Sequence, residues 1–297
     1  GDADPSQFSD GHRFQVPVLS SVNSHGGIDS DGCSYSSGPQ ARTFAVATSP
    51  TTLYSARLES WGKGVDENNQ KALFQMLVRE GEGVDSAAQL LPFQRYELAA
   101  KVAVQVGGDH FEVGDYYLHA AWTVRDSIVG FLPGVQGAGD AWQKLGELVT
   151  RSGELTSDHS KTIAHFDIAR LSHRGGFVFE RDAYLGGVDQ LADVGLDAVA
   201  KRDEFQRRVG EENRLLAAAR RAYLDGVEAR QRSVDDRLVY RFLAADLARR
   251  LGQFDVAEQE LKRLALDKRL PKEVNGLVVD VQAVLGVQAR SAVPAGN

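Results

Sequence analysis

From about residue 63 onward, apolar residues return every three or four positions, and that period commits most of the sequence to helices. Tyr117, Ala120, Ala121, Val124 and Ile128 form one stripe, and Tyr96, Ala99, Ala100 and Ala103 another. Phe205, Val209, Leu216, Ala219, Tyr223 and Val227 mark a long helix whose other face is Arg, Glu and Gln. Val234, Leu238, Phe242 and Ala245 open the next helix. Phe254, Ala257, Leu261, Leu264 and Ala265 mark the last clear one. Loops are expected at Gly130–Gly139 and Arg174–Gly187.

Residues 1–61 have a different character. They are rich in Ser, Gly, Thr and Pro and show little helical period. Phe14, Val16 and Val18 alternate, as do Phe44 and Val46, so short strands are expected over His12–Leu19 and Arg42–Thr48. Between them the run from Asn23 to Gly32 is dense in turn formers. The expected fold class is therefore mainly α, with a small N-terminal β unit (1–61), a helical array (62–290) and a flexible tail (291–297).

The balance of the chain narrows its partners. A net charge of −7 over 297 residues disfavours nucleic acid, since phosphate binding needs a concentrated basic face. No apolar run approaches the roughly 20 residues of a membrane span. The single cysteine, Cys33, excludes an internal disulfide. The start Gly1-Asp2-Ala3-Asp4-Pro5, without Met, suits a processed periplasmic or exported chain over a cytoplasmic one, with a trimmed recombinant terminus as the alternative.

The join at 247–257 is the most specific local signal. Gly252 stands where one helix should end, because glycine accepts the left-handed conformation that turns the chain. Ala257 inside the following helix lets the two axes approach closely, and Pro271 stands where that helix should stop. This pair resembles a tetratricopeptide repeat, and residues 93–126 resemble a looser second pair.

Two short stretches, Val16-Pro17-Val18-Leu19 and Ser49-Pro50-Thr51-Thr52, keep the proline and spacing of Cys-Pro-x-Cys zinc knuckles without a cysteine. With the Gly27/Asp29/Asp31 loop between them, the following Tyr54 and Ala56, and helical pairs around Tyr96–Ala100, His119–Trp122 and Gly252–Ala257, the chain resembles an uncharacterised bacterial domain-of-unknown-function family, number twenty-two twenty-five. That resemblance implies a ribbon of two knuckles followed by tetratricopeptide-like helices. It implies no zinc here, since the four ligand positions are Val16, Leu19, Ser49 and Thr52, and zinc needs about four thiolate or imidazole ligands. Val16 and Leu19 are expected to supply apolar packing in place of ligands.

Other chemistry is sparse. His159, His165 and His173 lack the i, i+4 spacing of a helical metal site. Cys33 with His25 lacks an orienting third group. Gly134–Gly139 is not followed by the Lys-Ser/Thr of a phosphate loop. Asp29 and Asp31 are candidate calcium ligands, but the loop lacks the glycine and glutamate placement of an EF-hand. No catalytic residue and no cofactor are expected. The expectation is a non-enzymatic protein–protein interaction module, a scaffold or subunit of a larger bacterial assembly; the alternative is a small-ligand or calcium-binding module using the 23–32 loop.

Overall fold

The computed structural model describes residues 14–17, 19, 23, 25–61, 65–191 and 196–291. Within them the fold is mainly α, with a small N-terminal β unit. Strands β1 (Val46–Thr48) and β2 (Ser55–Arg57) pair antiparallel, Val46 opposite Arg57. Helices follow at α1 (Glu67–Glu80), α2 (Pro92–Gln105), α3 (His110–Val129), α4 (Ala138–Gly153) and α5 (Asp158–Gly175). They continue through α6 (Val178–Gly187), α7 (Leu196–Glu228), α8 (Val234–Arg250), α9 (Phe254–Ala265) and α10 (Lys272–Ser291).

Helix starts follow the side chains that cap them. Asp66, Asp109, Ser157 and Ser233 each accept a backbone N–H from the first turn that follows, satisfying a donor the helix cannot. At the end of α8, Gly252 has φ +76°. Its N–H donates to Arg249 O at 3.0 Å, and that of Gln253 to Ala248 O at 2.9 Å, which closes a Schellman turn. Ala257 is fully buried where α9 returns along α8. A β-branched residue resists positive φ, so Gly252→Val is expected to cost about 1–2 kcal/mol. A thermal melt matching that of the parent chain would contradict this.

The main core lies where α3 packs between α2 and α7. Gly114 permits the closest approach, since a Cβ there would fall 2.4 Å from the Tyr223 ring. Cys33, Tyr35 and Val46 belong to this same core, beside Tyr96, Phe111 and Tyr116. The change of character near residue 62 is thus a change of secondary structure and not a gap in packing. A second core joins α8, α9 and α10 through Phe242, Leu261 and Val278. A third holds the hairpin against α1 and α2 through Leu53, Tyr54, Leu73 and Leu98.

Several expectations need correction. Phe14–Pro17 and Leu19 form no strand; residues 12, 13 and 18 lie outside the described residues. The strand expected over Arg42–Thr48 begins only at Val46, because Ala41–Phe44 forms a 3-10 turn. The loop expected at Arg174–Gly187 is helical almost throughout. Gly176 makes one tight turn at φ +76°, and α6 resumes at Val178. Phe254–Ala265 is not the last helix: Val274, Val278, Val281 and Leu285 carry α10 onto α9. Of the expected tail, residues 292–297 lie outside the described residues.

Candidate functional site

The former knuckle positions do different work from one another. Val16 and Leu19 are half-buried. Ser49 instead shapes the β1–β2 turn: its hydroxyl accepts the N–H of Thr52 at 3.2 Å and that of Thr51 at 3.4 Å. Its own N–H donates to Tyr54 O at 2.8 Å.

The Asp29–Gly32 segment is the tip of a tight hairpin. Gly32 N–H donates to Asp29 O at 2.9 Å, and Asp29 N–H to Cys33 O at 2.8 Å. Gly32 takes φ +87°. This tip is inserted among helices, and its carboxylates meet arginines. Arg125 of α3 donates to Asp31 Oδ2 at 2.8 Å and to Glu212 of α7 at 2.8 Å. Arg174 of α5 lies 3.4 Å from Asp29, with its guanidinium carbon 3.9 Å from the Tyr35 ring centre. Arg250 of α8 reaches both aspartates at 3.3 and 3.4 Å. Beside it, Arg249 pairs with Asp246 at 2.7 Å, and Ser30 donates to the other Asp246 oxygen at 2.7 Å. Trp122 Nε1–H and the Tyr35 hydroxyl complete the shell, donating to Asp31 and Asp29.

Four arginines thus face four carboxylates, all almost without solvent access. Burying such ions is costly unless each is paired and hydrogen-bonded. Burial pushes the Asp31 carboxyl up, but Arg125 and Arg250 outweigh it and hold it well below the usual carboxylate range. Glu212 is likewise drawn down to about 2, burial being overcome by Arg125 and by His173, whose Nε2 lies 2.7 Å from it. The candidate calcium ligands of the alternative reading, Asp29 and Asp31, are therefore committed to guanidiniums, and a cation there would have to displace three of them. Burial pushes the Cys33 thiol far up, so it is no ready nucleophile.

Next to this network lies a cleft of two chambers. One, of about 540 Å³, opens between the hairpin tip, α3 and α8, and is bounded by Asp31, Glu59, Asp115 and Tyr240. The other, of about 290 Å³, is bounded by Ser34, Gln40, Arg42 and Tyr96. Ala45, Arg57, His119 and Trp122 line both, forming the wall between them.

Several polar groups lining the two chambers are already engaged. Trp122 serves Asp31, and Arg42 makes a two-pronged pair with Asp126 at 2.7 and 2.6 Å. Asp115 accepts from Tyr223 at 2.8 Å, and burial pushes its carboxyl up. His119 stacks on Tyr96 with ring centres 5.6 Å apart. Its Nδ1 lies 2.7 Å from Asp115 O, which can only accept, so Nδ1 carries the proton. Burial, with Arg57 and Arg42 nearby, pushes the imidazole down to about 4 and keeps it neutral.

Arg57 differs. Its backbone N–H donates to the Tyr116 hydroxyl oxygen at 3.2 Å, and its guanidinium carbon stands 5.1 Å from the Tyr116 ring centre. Among the described residues its side chain pairs with no carboxylate.

No family model, no curated protein and no solved structure matches the chain. Among the described residues no helix is long and apolar enough to cross a membrane.

Proposed function

We propose that the chain is a non-enzymatic protein–protein interaction module, a scaffold or subunit of a larger assembly, that receives its partner in the two-chambered cleft. Arg57 carries this reading. In a fold where Arg42, Arg125, Arg249 and Arg250 each have a carboxylate, a half-buried arginine without one stands at the junction of two chambers. Arginine and tryptophan in a part-desolvated pocket are the residues that dominate protein interfaces. The buried ion network supports the reading from behind, because it fixes the hairpin tip that forms one rim. The same reading takes residues 14–19 and 49–56 as metal-free counterparts of the knuckles of family twenty-two twenty-five.

A free small ligand in the same cleft is the second reading. The larger chamber falls within the range of about 300–1,000 Å³ typical of ligand sites. This version keeps the 23–32 loop as part of the site and drops calcium.

Glu59 is exposed at the cleft, so Glu59→Trp should fill the mouth without disturbing the core. Affinity capture from native extract is expected to recover a partner with the parent chain and to lose it with Glu59→Trp. Equal recovery by both would refute the cleft as the binding surface.

A further inference from the structure

The smaller chamber has a charge character opposite to that of the whole chain. The protein carries a net charge of −7. Yet among the described residues the wall of this chamber contains two guanidiniums, Arg42 and Arg57, and no carboxylate. Arg42 spends Nε and Nη2 on Asp126, which stands outside that wall, and among the described residues its Nη1 is uncommitted. Among the described residues Arg57 commits none of its side-chain donors to a hydrogen bond. Both arginines act on the same two neighbours: each depresses the imidazole of His119 and opposes the burial that raises the phenol of Tyr96. Both guanidiniums thus border one small space, Arg42 with its charge partly offset by Asp126 and Arg57 without a carboxylate among the described residues.

Four aromatic side chains and the polar Asn23, Ser34, Ser36 and Gln40 make up most of the remaining wall. Tyr35, Tyr96, His119 and Trp122 present rings, and Arg42 already sits 5.7 Å from the Tyr35 ring centre and 5.8 Å from that of Trp122. A guanidinium fork matches the two oxygens of a carboxylate, and ring faces favour a planar apolar body beside it. At about 290 Å³ the chamber admits a small occupant only.

Resting on the reading of the cleft as the binding site, we propose that the Arg42/Arg57 chamber recognises a carboxylate attached to a small flat body, with Arg57 as the principal counter-ion. The group belongs either to a free small acid or to a partner's side chain or chain end that enters the chamber.

Calorimetric titration of the full chain with benzoate, benzamide and inorganic phosphate tests this. Benzoate is expected to bind at least about tenfold more tightly than benzamide, which has the same body without the charge. It should also bind more tightly than phosphate, which has the charge without the body. Arg57→Gln is expected to weaken benzoate by about tenfold or more, whereas Arg214→Gln, at the exposed Glu97 pair, should leave it unchanged. Benzamide equal to benzoate, phosphate tighter than benzoate, or no loss in Arg57→Gln would each overturn the proposal. The benzoate–benzamide comparison uses the unaltered chain and so does not depend on how the variant folds. Competition by benzoate against the captured partner separates the sources: displacement places the carboxylate on the partner, and benzoate binding without displacement assigns it to a free acid. Failure of the parent chain to capture any partner, with intact benzoate binding, would refute the interaction reading alone.

Discussion

Replacing Arg125 with methionine is expected to cost about 3–5 kcal/mol, more than any other single change at the site. The guanidinium is fully buried and touches Asp29, Asp31 and Glu212 at once. Without it, Glu212 keeps only His173 and Asp31 keeps Arg250, so buried charge is left short of a partner. For a chain of this size that loss corresponds to a fall in melting temperature of roughly 10 °C. Arg221→Met is the comparison. Arg221 pairs with Asp225 at 2.9 Å but is 79% exposed, and its loss should stay within about 0.5 kcal/mol. Similar melting shifts for the two variants would show that the buried network does not hold the hairpin tip.

The second large effect is with pH. In the unfolded chain His119 titrates near 6.5, and in the fold it stays neutral down to about 4. Between these values the unfolded state binds more protons, so stability is complete above pH 6.5 and declines as the pH falls towards 4. The shift corresponds to about 3 kcal/mol over that window. His173, also lowered by burial although Glu212 opposes the shift, acts in the same direction. Glu212 adds its own loss at lower pH, from its ordinary value of 4.5 down to about 2. Denaturant melts across pH 7.5 to 4 should trace this decline, and His119→Phe should flatten most of it. An equally steep profile in His119→Phe would assign the acid sensitivity elsewhere.

Much of the fold is legible in the sequence because helices announce themselves through period. The stripes of α2, α3, α7, α8 and α9 lie on faces the structure buries, except at their ends, where Val234 and Ala265 are exposed, and the Gly252 turn has a local cause. The site is less legible, though not silent. Glu212 falls on the stripe formed by Phe205, Val209 and Leu216, and Arg125 on that of Leu118, Trp122 and Val129. Arg249 follows Phe242 and Ala245 in the same way. A charge at a core register is a signal of a buried pair. Its partner is beyond local reading, because Asp31 reaches Arg125 from 94 positions away. Turn chemistry explains Asp29 and Asp31 well enough by itself, and it is tertiary insertion that turns them into counter-ions. Arg57 carries no periodic signal at all: it ends a three-residue strand, and that no carboxylate among the described residues pairs with it is visible only in three dimensions.

The distance between the network's members bears on when the protein can mature. Ser30 and its partner Arg249 stand 219 positions apart. A chain emerging from the ribosome presents Asp29 and Asp31 first, then Arg125, then Arg174, and the arginines of α8 after all of these. Until that last stretch is made, the hairpin tip has no complete set of counter-ions and little reason to leave water. Closure of the main core therefore waits for α8. During that wait Cys33, Tyr35 and the apolar face of α3 that they cover stay accessible, and exposed apolar surface of this kind is what makes incomplete chains prone to aggregate.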